Sequence, residues 1–131
     1  MDFRLVTDIR GEWPRIKRHL EAVQAKCPED WICEDVYHAL KSGTAACHLT
    51  EGGMMVTTLT QTDYSGLPVL HVWVGHHETH DPIGDETCEF LRHLARNAGA
   101  TRITFGSPRL GWSKRFPLVS AVYEVPLDVV R

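Results

Sequence analysis

Apolar positions along this chain repeat with two different periods, and the switches between them mark out the elements. Residues 3–7 alternate and predict a short first strand. Trp13, Ile16, Leu20 and Val23 then recur at spacings of three and four, which gives one apolar helical face. Arg15, Lys17, Arg18 and Glu21 lie off that face. Pro14 is favoured in a first helical turn, so this helix is expected to start around Trp13. Pro28 disfavours helical geometry at Cys27, so the end is expected near Lys26. A shorter helix over 34–40 opens on Glu34 and Asp35, which suit the positive end of its dipole, and stops at Ser42-Gly43.

Residues 44–50 and 54–60 flank Glu51-Gly52-Gly53, a hairpin signal. A second turn over 62–66 leads into an apolar strand over 67–74, rich in β-branched and aromatic residues, and residues 75–84 follow as a polar loop. Leu91, Leu94, Ala95 and Ala98 predict a helix over 85–98, with Gly99 as its left-handed cap. A strand over 102–105 comes next. A strand-helix-strand unit with joints this short is a right-handed crossover between parallel strands. Residues 106–117 show no clear period and predict a loop or one broken helical turn, and 121–127 predict a last strand, with Pro126 favouring an edge or an end. The implied architecture is α/β (α+β): one domain over 1–131, a mixed, mostly antiparallel sheet with helices on both faces.

Composition narrows the classes without naming one. The 131 residues are 43% apolar and 24% charged, ordinary for a globular domain. A net charge of −3 gives no global pull toward nucleic acid or anionic membrane. No apolar run reaches the roughly 18 residues of a membrane span. Charge inside the first five residues argues against a signal peptide, so a cytoplasmic location is expected. Cys27, Cys33, Cys47 and Cys88 form no Cys-x-x-Cys pair and fit no zinc module, and in a reducing cytosol they are expected to be free, mostly buried thiols.

The order of elements resembles the GNAT family of N-acetyltransferases. In that fold two helices follow the first strand, and the fourth strand splays from the fifth to admit acetyl-CoA. The run Leu94-Ala95-Arg96-Asn97-Ala98-Gly99-Ala100-Thr101-Arg102-Ile103 is similar to one common in the family. Ser107-Pro108-Arg109-Leu110-Gly111-Trp112, followed by Lys114-Arg115, resembles small GNAT-like proteins of tailed bacteriophages. The resemblance makes 67–74 the fourth strand, 85–98 the main cofactor helix and 102–105 the fifth strand. It points to Val74, Gly75, Gly84 and Asp85 as cofactor-binding candidates.

The segment from Thr79 to Glu86 departs from the family's phosphate-binding pattern. It has one glycine, Gly84, and no Gln or Arg at its head. Pro82 has no amide hydrogen to donate. Asp81, Asp85 and Glu86 suit a helix N-terminus but repel a pyrophosphate. The family's frequent catalytic tyrosine has no counterpart over 108–118. The expectation is therefore a non-catalytic GNAT-like module with no cofactor, working in virion assembly or inside a bacterial host. The alternative is an acetyl-CoA-dependent N-acetyltransferase acting on a small amine or protein amine, its base a carboxylate or histidine beside the splayed strands.

Individual residues carry the remaining candidate chemistry. Glu78, His71 and Tyr123 are the candidates for acid–base work. His76, His80 and Asp81 share a loop that could gather a metal, although His77-Glu78-Thr79-His80 is one residue short of the helical zinc motif. Cys88, in the first turn of a helix, is either a nucleophile or a buried small hydrophobe. Arg109, Trp112, Lys114 and Arg115 form the one basic-aromatic cluster and are expected to meet a protein partner, phage or host.

Overall fold

Asp8 decides where the first helix begins. Its carboxylate accepts the Gly11 amide at 2.9 Å, and α1 runs Ile9–Lys26. That start precedes the expected one and leaves Pro14 inside the helix. A side chain that satisfies an orphan amide is a firm start signal, and here it outweighs the preference of proline for the first turn. The end at Lys26 is as expected.

The computed structural model describes residues 2–107 and 110–128. The other helices are α2 (Cys33–Ser42) and α3 (Asp85–Ala98), closed by Gly43 at φ 81° and Gly99 at φ 71°. The strands are β1 (Arg4–Leu5), β2 (Ala45–Thr50), β3 (Gly53–Gln61), β4 (Pro68–His77) and β5 (Arg102–Phe105), in the sheet order β1-β2-β3-β4-β5. Neighbours are antiparallel except β4 and β5, which run parallel across the α3 crossover. A 3-10 turn spans Leu110–Lys114.

Apolar burial puts helices on both faces. Ile16 and Leu20 of α1 and Val36 and Leu40 of α2 pack on Cys47, Leu49, Met54 and Val56. Leu91 and Ala95 of α3 pack on Met55, Leu70 and Val72 on the other face. Met54, Met55 and Val56 are each about 1% exposed or less, so β3 is the strand buried on both sides. The four cysteines are free; Cys47 is buried and the other three are half-buried. Burial pushes the Cys47 thiol up to about 12, which keeps it an inert part of the core.

Two further expectations fail here. β4 does not stop at Val74 but continues to His77, because Gly75, His76 and His77 pair with Met55, Met54 and Gly53. Pairing across a sheet overrides local polarity. The last strand over 121–127 does not form. Val122 (98%), Tyr123 (86%), Val125 (90%) and Leu127 (99%) stand exposed. Alternation gives only a propensity, and a strand needs a paired neighbour.

Candidate functional site

The site begins where two parallel strands part. β4 and β5 pair from Val69↔Arg102 to Val72↔Phe105, where β5 ends. β4 runs on for five residues, Trp73 to His77. The cause of the parting lies on its other edge. Val56 pairs with Val74 and Thr57 with Val72, so Trp73 is an extra residue on β4. Such a bulge bends its strand and increases the local twist. It falls one residue past the last β4–β5 pair and turns β4 away. Val72 and Val74 would share a face in a regular strand, but they belong to cores on opposite faces.

A pocket of about 240 Å³ fills the resulting wedge. Its walls are Trp73 to His77 of β4, Phe105 at the end of β5, the last turn of α1 with Lys26, and Trp31. His80 to Ile83 close it from the loop before α3. Trp112 joins from the 3-10 turn, its ring edge-on to Phe105 at 5.3 Å. Gly75 matters to this packing, since a Cβ there would lie 3.3 Å from the Pro82 Cβ.

A histidine pair lies at the pocket wall formed by β4. His19 of α1 is 5% exposed, and its Nδ1 lies 2.7 Å from Nδ1 of His76 on β4. The rings are 5.0 Å apart and inclined at 61°. Burial holds both imidazoles below their usual range. The His76 ring lowers His19 further and Lys26 lowers His76 further, while Glu78 opposes the shift at both. No local pattern in the chain signals this pair, because its members are 57 residues apart. The extension of β4 past the bulge is what brings them together.

The expected site residues are distributed unevenly around this pocket. Val74, Gly75, His76, His80 and Asp81 line it. Among the described residues no three His, Cys, Asp or Glu side chains form a group able to hold a metal. The His77 Nδ1 accepts the His80 backbone amide at 3.2 Å, which fixes the turn. His71 lies in the paired part of β4, with its Nδ1 2.9 Å from Thr104 Oγ1, and is not in the pocket wall. Glu78 is exposed, and its amide donates to the Gly52 carbonyl at the β2–β3 turn. Tyr123 is in the exposed tail. Cys88 packs against the α3 core and lines a shallow cleft with Asp85, Glu89, Arg92, Arg115 and Phe116.

Of the basic-aromatic cluster, Trp112 lines the pocket. Trp112 is half-buried against Phe105 and Phe116, with its Nε1 donating to Ser107 Oγ at 3.1 Å. Arg115 reaches the start of α3, donating to the Ile83 carbonyl at 3.1 Å and approaching Asp85 Oδ1 at 3.4 Å. Lys114 is exposed on the same turn, and Arg109 lies outside the described residues. Gly84 caps α3 with extended backbone and no capping side chain, and nothing stands within 4 Å of where its Cβ would be.

No protein-family model and no curated protein matches the chain. Solved structures do. A probable acetyltransferase superposes with a TM-score of 0.69 at 11% identity, covering 99% of this chain and 100% of its own. A ribosomal-protein-alanine N-acetyltransferase from Brucella melitensis biovar Abortus 2308 gives 0.62 at 16% identity, covering 99% and 97%. An aminoglycoside acetyltransferase from an uncultured soil metagenomic sample, in complex with sisomicin, gives 0.64 at 13% identity, covering 99% and 95%. The fold is GNAT-like. No helix among the described residues is long and apolar enough to cross a membrane.

These likenesses correct the expectation of a non-catalytic module. The three structures named above are acetyltransferases that match along the whole chain, and β4 runs on past the last β4–β5 pair. The acids at the head of α3 argued against a cofactor in the sequence. Their neighbour Arg115 was not visible there.

Proposed function

We propose that this chain is an acetyl-CoA-dependent N-acetyltransferase acting on a small-molecule or protein amine. The observation that carries this reading is the run of β4, Trp73 to His77, that continues past the end of β5 along a pocket of about 240 Å³. An unpaired strand edge offers alternating amide hydrogens and carbonyl oxygens, which suit an extended ligand that itself carries amides. The pantetheine arm of acetyl-CoA is such a ligand.

Acetyl-CoA would supply an acetyl thioester: the amine nitrogen bonds the carbonyl carbon as the carbon–sulfur bond breaks, and one proton passes from nitrogen to sulfur. Val74 and Gly75 would hold the arm from β4. Gly84, whose amide begins an uncapped helix, and the Arg115 guanidinium would face the phosphates. Asp81, Asp85 and Glu86 oppose that charge, so phosphate recognition here rests on one borrowed arginine and fewer amides than a glycine-rich loop provides. Trp31, Trp73 and Trp112 line the pocket and exclude water from the thioester end.

Thermal melting with and without acetyl-CoA tests the reading. Ligand at 100 times its Kd stabilises the native state by about 2.7 kcal/mol, a rise of several degrees at this chain length. Release of CoA thiol is then measured with spermidine, an aminoglycoside and a peptide beginning with alanine. A melting temperature unmoved by millimolar acetyl-CoA would sink the proposal.

A further inference from the structure

We propose that His76 and His19 form a proton-holding dyad, with His76 Nε2 the base that takes the amine proton and His19 the positioning residue that fixes its tautomer. The inference deepens the acetyltransferase reading and rests on it for the identity of the proton donor.

Two Nδ1 atoms 2.7 Å apart need one proton between them. Two bare lone pairs would repel, and two N–H groups would clash. One ring therefore donates from Nδ1 and the other accepts. His76 lines the pocket, whereas His19 is 5% exposed beneath it and is not in the pocket wall. If His76 donates, its Nε2 keeps a free lone pair, which is the form a base needs. The same logic lets a carboxylate orient a catalytic histidine. When His76 Nε2 takes a proton, its Nδ1–H bond to His19 becomes charge-assisted and stronger.

The surroundings limit the dyad to one extra proton. Arg15, Arg18 and Lys26 of α1 and His77 of β4 disfavour positive charge, and Glu78 favours it. A second proton would set two imidazolium rings face to edge in a half-buried site, so the pair titrates as a unit. The proton leaves the amine as the nitrogen–carbon bond forms, is held at Nε2, and is released to the departing sulfur or to water. No oxidant or further reactant is required.

The dyad is read by nitrogen-15 NMR of the histidine rings in the full chain without ligand. Above neutral pH His76 is expected as the Nδ1–H tautomer, and both rings should move together through one protonation step. In His19→Phe, His76 should revert to the commoner Nε2–H tautomer. In His19→Gln, whose side-chain oxygen can accept, the Nδ1–H form should return. Wild-type His76 found as Nε2–H, or two rings titrating independently, overturns the dyad whatever the activity.

The base role is read by CoA release with the best amine of the panel above. His76→Gln should lower kcat by roughly 10²- to 10⁴-fold, leave acetyl-CoA affinity intact and remove the acidic limb of the pH profile. His19→Phe should lower kcat less and shift that limb, with partial rescue in His19→Gln. A His76→Gln enzyme with wild-type kcat and pH profile overturns the base. Failure of acetyl-CoA to bind removes the function and the base role together, and the tautomer still decides the dyad.

Discussion

Arg115 donates from Nη1 to the carbonyl oxygen of Ile83 at 3.1 Å, across 32 residues of chain. This bond ties the irregular segment after β5 to the loop before α3. It also sets a guanidinium 3.4 Å from Asp85 at the helix N-terminus. The loop lacks a cation of its own, and the fold lends it one from downstream.

Replacing that cation should weaken cofactor binding. Arg115→Met is expected to raise the Kd for acetyl-CoA about tenfold, near 1.4 kcal/mol. Its cost to stability should stay near 1 kcal/mol, because the bond to Ile83, the contact with Asp85 and the ring contact with Phe116 all come from an exposed side chain. Calorimetric titration at two salt concentrations checks this, and the gap between wild type and variant should narrow at high salt.

The acid beside it should act in the opposite sense. Asp85 is fully exposed at the start of α3. Asp85→Asn should cost the helix end about 0.3–1 kcal/mol, yet tighten acetyl-CoA severalfold by removing charge facing a phosphate. Equal or weaker binding in this variant would show that the phosphates lie elsewhere.

Gly75 offers a steric test of the wedge. A larger side chain must displace Pro82, whose Cβ would be 3.3 Å from a Cβ placed there. Gly75→Val is expected to lower stability by about 1–3 kcal/mol and to abolish the acetyl-CoA-induced rise in melting temperature. A folded Gly75→Val protein that still binds the cofactor would move the site off β4.

His48 offers a test away from the site. It is 7% exposed, its ring meets Phe90 edge-on at 5.0 Å, and its Nδ1 is buried without a hydrogen-bond partner. His48→Leu removes the unpaired polar atom from an apolar setting. Stability should hold or rise by about 1 kcal/mol, measured as a urea midpoint at pH 7.

Acid should destabilise the chain through its buried histidines. Burial holds His19, His48, His71 and His76 below the ordinary 6.5. Below that value the unfolded chain binds protons that the folded chain does not. Stability is therefore full above about pH 6.5 and declines as pH falls through the window down to the folded values. Urea midpoints from pH 8 to pH 5 should drop on the acid side, and His48→Leu should flatten the slope.

Much of the frame was legible in the residues. Leu91, Leu94, Ala95 and Ala98, with Gly99 behind them, predict α3 at its observed bounds. Glu51-Gly52-Gly53 marks the β2–β3 hairpin, and Gly52 takes the positive φ of 73° that such a turn uses. The start of α1 was misread because Pro14 masked the cap at Asp8. The strand over 121–127 was misread because alternation says nothing about a partner.

By itself the sequence determined the order of elements from β1 to β5, the two apolar faces of the sheet and the acidic character of the loop before α3. Periodicity, caps and turn residues act over a few positions, so they can be read one segment at a time. Tertiary structure alone decided the site. Only the register with β3 makes Trp73 an extra residue, carries β4 to His77 and opens the wedge. Only the packing of α1 on that extension sets His19 against His76, and only the turn after β5 brings Arg115 to Ile83. These contacts join residues from 15 to 57 positions apart, and contacts over such distances leave no local pattern in a single chain.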